Sequence, residues 1–301
     1  MMLSIPNQSH VPQSNICKED FLLKKIFVCI PNFNGSSYLS KLKKIDGVDI
    51  VVLDNASTDD SVRICKEKGF IVKEFKNNVD RTHNWLRCLE FFKSSDYDWM
   101  KWLFIGDKLS DDCAELMRNA IENDTNSSAV VFNYKIDNGE KCVQWKEDLK
   151  DDIIFDKALK KELFAGNNLF GSPIGWMFSR KSLENLPLAN LHNFIWAADL
   201  YMIMEIIKGG NVKFVNKNIG VFNALERKHY QELSCSLTSI LEEIEIIRLI
   251  STCYRFSNSV KIQNNEVLIE YFFKALKKFS LKSLTKVLFH HFLKKFTRLI
   301  G

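Results

Sequence analysis

Strand-like segments alternate with helix-like stretches from residue 26 to residue 136. The first of them, residues 26–33, is a short, continuous apolar run, which is typical of a strand that is buried on both faces of a parallel sheet. The strand-like segments occupy residues 26–33, 49–57, 70–77, 99–107 and 129–136, and the helix-like stretches occupy residues 36–45, 59–68, 82–94 and 110–122. Repeated strand–helix–strand order predicts an α/β fold with a mostly parallel sheet flanked by helices.

Four of the predicted strands end in polar side chains: Asn32 and Asn34, Asp54 and Asn55, Asn77 and Asn78, and Asp107. In open α/β sheets, ligands bind beyond the carboxyl ends of the strands. The pattern therefore predicts a ligand site along this edge of the sheet. The sequence lacks the glycine-rich phosphate loops of dinucleotide-binding and P-loop proteins, which disfavours both classes.

Composition divides the chain into three parts. We expect a flexible leader over residues 1–20, the α/β domain over residues 21–235 and a helical region over residues 236–301. The eight cysteines lack zinc-binding spacing, which indicates free thiols in a reducing cytosol. Neither a signal peptide nor an apolar run of about 18 residues is visible. We therefore expect a cytoplasmic protein, or one on the inner face of the cell membrane.

The end of the helical region is strongly basic. Residues 271–301 contain eight Lys or Arg and no Asp or Glu, interleaved with Phe and Leu. This composition is typical of an amphipathic helix on an anionic membrane surface. The alternative is a helix that packs on the preceding domain. Basic and aromatic residues are not interleaved elsewhere, so nucleic acid is not an expected partner.

Five segments follow one another in a fixed order: PNFNGSSYL (31–39), VVLDNASTDDS (51–61), NNVDRTHNWLRCLE (77–90), KWLFIGDKL (101–109) and FIWAADLYMIME (194–205). This ordered set resembles the inverting glycosyltransferases of family 2, which have the GT-A fold. The resemblance implies a nucleotide-sugar donor, usually a UDP-sugar, and a Mn²⁺ or Mg²⁺ cofactor. It also implies inverting transfer to a hydroxyl of a glycan or lipid-linked saccharide, in bacterial surface polysaccharide synthesis.

The resemblance places ten residues at the nucleotide: Pro31, Asn32, Asn34, Asp54, Asn55, Asn78, Arg81, Asn84, Gly106 and Asp107. Asp54 would accept a hydrogen bond from an N–H of the base, whereas its alternative role is to cap the next turn. Arg81 and Asn84 begin a predicted helix, whose N-terminus attracts phosphate. A surface ion pair is the alternative for Arg81. Asp80 stands where the family has Gly, so it puts an acid near the expected diphosphate.

Asp107 is the main candidate for a metal ligand. A Mg²⁺ or Mn²⁺ ion held by one or two carboxylates and by phosphate oxygens would neutralise the diphosphate leaving group. The family usually has two acids here, whereas this chain has Ile105-Gly106-Asp107-Lys108. His229 is a second metal candidate, because its segment resembles one that approaches the diphosphate in similar enzymes.

The resemblance gives Asp199 the role of the base that takes the proton of the acceptor hydroxyl. The alternative is an ordinary acid in the first turn of a helix. Gly171, Ser172 and Trp196 are expected at the acceptor or donor sugar, with a simple turn as the alternative for the first two.

Two other functions are compatible with the sequence. This chain has only one acid, Asp107, where the family usually has two, and it has Asp80 where the family has Gly. Both differences would suit a family member that binds a nucleotide sugar or a glycan without catalysis. The basic tail would suit an adaptor on a membrane surface.

Overall fold

The computed structural model describes residues 24–122, 124, 126–147, 151–154, 171–184, 186–194, 197–208, 210–225 and 242. The strands are β1 Ile26–Asn32, β2 Asp49–Asp54, β3 Ile71–Glu74, β4 Trp99–Trp102, β5 Lys108–Leu109, β6 Ser127–Asp137, β7 Cys142–Gln144, β8 Asp152–Ile154, β9 Trp176–Ser179 and β10 Asn211–Asn223. The helices are α1 Ser36–Leu39, α2 Ser61–Glu67, α3 Arg81–Ser94, α4 Cys113–Ile121, α5 Arg180–Glu184 and α6 Ala198–Lys208, with 3₁₀ turns at Pro173–Gly175 and Leu188–Asn193.

One sheet organises these elements, in the order β3-β2-β1-β4-β9-β6-β10-β5. Strands β3, β2, β1 and β4 are parallel to one another. Beyond them, β9 runs antiparallel to both β4 and β6, and β10 runs parallel to β6. The predicted α/β fold is confirmed, and the parallel strands bring the polar loops after β1 to β4 to one edge.

Helices cover both faces of the sheet, because successive strand residues point to opposite faces. On one face, Phe27 and Cys29 of β1 pack with α3 and α6. On the other face, Val28 and Ile30 pack with α2 and α4. The two cores fix the strands and leave the loops at the carboxyl edge available for a site.

The short strands β5, β7 and β8 were not predicted, and two longer elements also differ from the sequence prediction. The predicted helix over residues 36–45 ends at Leu39, because Leu39 is the only buried residue of α1 and a lysine-rich stretch follows. Strand β10 was not predicted. Its buried Val212 and Phe214 alternate with polar residues, as in a strand. Bulges after Val215 and Asn218 then interrupt this two-residue alternation. Within the ranges given above, no helix is long and apolar enough to cross a bilayer.

Candidate functional site

A cleft of about 370 Å³ opens at the carboxyl edge of the parallel strands. Its lining comes from the loops after β1, β2, β3 and β4, the start of α3, the turn before β9 and the start of α6. The predicted residues that line it are Pro31, Asn32, Asn55, Asn78, Arg81, Asn84 and Asp199. The structure thus brings predicted nucleotide-binding residues and the predicted base into one cavity.

Asp54 lies beneath the cleft and does not line it. Its side chain is buried, and its carboxylate accepts hydrogen bonds from Asn32 Nδ2 at 2.7 Å and from the N–H and hydroxyl of Ser57 at 2.9 and 2.6 Å. These contacts join the loop after β1 to the loop after β2. Asp54 therefore caps the turn, the alternative raised by the sequence, and its contact with the base stays a prediction.

The same two loops are joined again by Asn34, which does not line the cleft either. Its Oδ1 accepts from the N–H of Thr58 at 2.8 Å, and its own N–H donates to Ser57 Oγ at 2.9 Å. Asn34 and Ala56 have φ angles of 53° and 60°. Left-handed backbone at a non-glycine residue is uncommon and is often found at functional sites.

Asn55 fastens the loop after β2 to the loop after β3. Its Nδ2 donates to the carbonyl of Val79 at 2.7 Å, and its Oδ1 accepts from the N–H of Val79 at 2.9 Å. Asn78 Nδ2 donates to the carbonyl of Asn55 at 3.0 Å, and Arg87 donates to Asn55 Oδ1 at 2.9 Å. Arg87, which the sequence prediction missed, thus holds this end of the cleft from α3.

Asp80 caps the N-terminus of α3. Its carboxylate accepts from the N–H of His83 at 3.0 Å, and its Oδ2 lies 2.5 Å from His83 Nδ1. Burial is the largest influence on the pKa of Asp80 and raises it, but the hydrogen bonds and charge of His83 outweigh burial and lower the pKa overall. The acid that replaces the family's Gly is therefore an ionised cap for α3.

Aromatic rings form one wall of the cleft. Trp85 stacks on Phe104 with a centroid distance of 4.9 Å, and the Arg81 guanidinium lies 5.1 Å from the Trp85 ring centroid. Phe33 lines the cleft with half of its surface exposed. The sequence prediction missed the part played by these rings, although all lie within the matching segments. Such surfaces suit stacking of a planar base or a sugar face.

Asp199 stands in the first turn of α6, and its Oδ1 accepts from the N–H of Leu200 at 2.9 Å. Two contacts fix the segment that leads into this helix. Thr82 of α3 donates to the carbonyl of Phe194 at 2.9 Å, and Glu242 accepts from the N–H of Ala197 at 3.0 Å. Asp199 is thereby held at the cleft by α3 and by a residue far along the chain.

Asp107 and Gly106 lie behind the cleft. Asp107 is fully buried, its Oδ1 accepts from the N–H of Asn223 at 3.1 Å, and its carbonyl accepts from the hydroxyl of Tyr38 at 2.6 Å. Gly106 has a φ of 99°, which favours glycine. Across the described residues, no group of three or more His, Cys, Asp or Glu could hold a metal. His229 lies outside the described residues.

Gly171 and Ser172 pack against aromatic rings outside the cleft lining. Gly171 has a φ of 56°, and an added Cβ would lie 2.4 Å from the hydroxyl of Tyr134 and 2.6 Å from Trp145. The N–H of Ser172 donates to the same hydroxyl at 2.7 Å. Their neighbour Pro173 does line the cleft. Trp196 lies outside the described residues.

The sequence profile described as Glycosyl transferase family 2 matches residues 27–186, more than half of the chain. The chain belongs to glycosyl transferase family 2. The matched range contains the four loops that form the cleft in this family 2 protein and ends before Asp199. A search of curated protein sequences found no match.

Solved structures share the fold. TarS 1–349 of S. aureus, in complex with UDP-GlcNAc, aligns with a TM-score of 0.58 at 13% identity, over 84% of this chain and 73% of its own. PcManGT, a mannosyltransferase of Pyrobaculum calidifontis in complex with GDP-Man and Mn²⁺, aligns with a TM-score of 0.52 at 13% identity, over 89% of this chain and 80% of its own. The predicted GT-A-type fold is confirmed.

Proposed function

We propose that this family 2 protein transfers a sugar from a nucleotide-diphosphate donor to a hydroxyl of a glycan or lipid-linked acceptor, with inversion. One observation carries the proposal. A single cleft joins the loops after β1 to β4 to the carboxylate of Asp199. Among the described residues that line this cleft, Asp199 is the only acid. An arrangement of this kind supplies binding groups for a donor and one group that can accept a proton.

Asp199 would act as the general base. It takes the proton of the acceptor hydroxyl while that oxygen attacks the anomeric carbon from the face opposite the leaving group. The bond between the anomeric carbon and the diphosphate oxygen breaks, and its electron pair leaves with the nucleotide. The attack from the opposite face inverts the configuration at the anomeric carbon.

The negative charge of the leaving diphosphate requires neutralisation. Arg81 lines the cleft and supplies a guanidinium, which can bind phosphate oxygens in pairs. A divalent metal would supply further positive charge, and the Mn²⁺ in the PcManGT structure supports this inference. Asp107 is the carboxylate that the family resemblance assigns to this ion, and Mg²⁺-type sites often combine one carboxylate with substrate phosphates, but its side chain is buried behind the cleft and belongs to no group of three metal-binding side chains among the described residues. Asp107 would hold the ion, with His229 as the second candidate.

The nucleotide base belongs at the end of the cleft formed by Asn55 and Asn78. Asp54 supports this end from below through the turn that it caps. We infer a uridine nucleotide, because the family resemblance implies UDP and because TarS binds UDP-GlcNAc. The aromatic wall of Trp85 and Phe104 offers a stacking surface beside the start of α3.

The proposal is tested by incubating the full-length protein with UDP- and GDP-sugars, Mn²⁺ and a panel of saccharide acceptors. The expected products are free nucleotide and a new glycoside, whose anomeric configuration by NMR is opposite to that of the donor. A retained configuration would contradict inversion. Nucleotide-sugar binding without transfer or donor hydrolysis would instead indicate a family member that binds its ligand without catalysis.

Attachment to a membrane surface is a separate part of the proposal. Residues 271–301, which carry the basic tail, lie outside the described residues. We expect full-length protein to co-sediment with anionic vesicles at low salt and to be released by high salt, since the charge interaction is screened over about 8–10 Å at physiological ionic strength. A truncation after residue 270 should remain in solution. Aggregation of the truncation, with no vesicle binding by the full-length protein, would show that the tail packs on the domain.

A further inference from the structure

Lys101 is a charged side chain inside the apolar sheet. It lies in β4 between Met100 and Trp102, and its exposed fraction is 0%. Lysine is almost never fully buried unless its charge is paired. An apolar side chain would fill this position without removing an ammonium group from water. The presence of lysine therefore indicates a role beyond packing.

The ammonium group of Lys101 holds the turn that precedes β9. Its Nζ donates to the carbonyl of Ile174 and lies 3.3 Å from the carbonyl of Trp102. Ile174 belongs to the 3₁₀ turn Pro173–Gly175, and Pro173 lines the cleft. One buried hydrogen bond thus connects the middle of the sheet to a wall of the site.

The same turn is fixed from its β6 side. The N–H of Ser172 donates to the hydroxyl of Tyr134 at 2.7 Å. A Cβ added to Gly175 would lie 2.9 Å from the carbonyl of Phe132, so the turn already touches the β6 backbone. Lys101 supplies the attachment on the opposite side, at β4, and the turn is held between the two strands.

Lys101 also interacts with the carboxylate that follows β4. Burial is the largest influence on its pKa and lowers it to about 7, while the charges of Asp107 and Cys113 raise it. A cation and an anion in the same buried region attract each other more strongly than in water. The contact that fixes the ammonium group in place is the hydrogen bond to Ile174, in the turn before β9.

We propose that Lys101 is a positioning residue for sugar transfer, which fixes the turn Pro173–Gly175 against β4 and so shapes the β9 end of the cleft for the acceptor. The positioning role rests on the proposed function. The anchoring of the turn does not, and it can be measured without turnover.

Lys101→Met removes the ammonium group and retains most of the apolar stem. Met177→Leu is the matched control, because Met177 is fully buried, lies opposite Lys101 in β9 and does not line the cleft. In full-length protein, we expect Lys101→Met to accelerate amide hydrogen exchange at residues 172–177 by about 10- to 100-fold, the effect of losing a hydrogen bond to a charged group. Amide exchange at residues 26–32 should not change, and the exchange rates of Met177→Leu should resemble those of wild type.

Steady-state kinetics separates positioning from a purely structural role. Lys101→Met should lower kcat by about 10²-fold, since small misplacements of reacting groups have effects of this order. It should raise the KM for the acceptor and leave the KM for the donor nearly unchanged.

Three outcomes would overturn the proposal. Unchanged exchange at residues 172–177 would exclude the anchor, and equal acceleration in all strands would show that Lys101 only stabilises the fold. Faster exchange with wild-type kcat and acceptor KM would exclude the positioning role. A wild-type protein that transfers no sugar would contradict the proposed function, and the exchange data would still decide whether Lys101 anchors the turn.

Discussion

Glu242 accepts a 3.0 Å hydrogen bond from the N–H of Ala197, two residues before Asp199. The Glu242 side chain is buried, and Ala197 immediately precedes α6. The first N–H groups of a helix lack partners within the helix, and a carboxylate there also interacts favourably with the helix dipole. Glu242, which lies beyond the predicted domain end at residue 235, thus holds the helix that carries the proposed base.

Glu242→Ala should therefore impair catalysis without a direct contact to substrate. It leaves a buried N–H unpaired, which costs about 1–3 kcal/mol of stability, and it frees the start of α6. We expect kcat to fall while UDP affinity, measured by calorimetry, stays close to wild type. Glu242→Gln is the control, because its amide oxygen can still accept the hydrogen bond. Equal kcat in wild type and Glu242→Ala would show that this contact does not position Asp199.

Asp54→Ala should weaken binding of every donor that carries the same nucleotide. The substitution removes hydrogen bonds to Asn32 and Ser57, and a buried partner left unpaired costs about 1–3 kcal/mol. We expect about a tenfold or larger increase in the Kd for UDP and for UDP-sugars alike. Asp60→Ala, an exposed acid of the same loop region, should leave the Kd unchanged. An unaltered UDP affinity in Asp54→Ala would remove Asp54 from nucleotide binding.

Asp107→Asn should abolish the metal-dependent part of turnover and leave the fold intact. The Asn side chain retains an oxygen that can accept a hydrogen bond from the N–H of Asn223, so the hydrogen bond to β10 is kept. Loss of one charged ligand should reduce the Mn²⁺-stimulated rate by about 10²-fold or more, since metal stabilisation of the leaving group is worth several kcal/mol. Asp111→Asn, an exposed acid nearby, serves as the control. Wild-type Mn²⁺ stimulation in Asp107→Asn would exclude Asp107 as the ligand.

The buried Lys101 predicts a specific pH dependence of stability. Its pKa is about 7 in the folded chain, against an ordinary value of 10.5. Between these values the unfolded chain binds one more proton than the folded chain, so the free energy of unfolding rises with pH. The free energy of unfolding, measured with urea, should therefore rise in wild type relative to Lys101→Met as the pH increases from about 7 to about 10. A constant difference would contradict the lowered pKa.

Much of the cleft could be predicted from the sequence, because its residues lie next to one another in short loops. Asn55 follows β2, which has a clear apolar pattern, whereas Asn78 and Arg81 follow the short, largely exposed β3. Parallel strands must bring those loops to one edge. Asp199 was predicted from family resemblance, and the structure places it in the same cleft.

The remaining features depend on contacts between distant parts of the chain. The sequence pattern does not show that Glu242 reaches Ala197, or that Lys101 reaches Ile174, because tertiary packing decides both. It also could not separate residues that line the cleft from residues that support it. Asn34 and Asp54 have the same polar character as Asn55, yet their side chains bond to neighbouring loops.

Asp199→Asn tests whether this carboxylate is the general base for sugar transfer. A general base contributes about 10²- to 10⁴-fold to the rate, and its removal leaves the groups that bind the nucleotide in place. The measurement compares the loss of kcat with the change in donor Kd, determined by calorimetry on the same preparation. We expect kcat to fall by about 10²-fold or more while the donor Kd stays close to wild type. A large loss of donor affinity with little change in kcat would contradict a role as general base and assign Asp199 to donor binding.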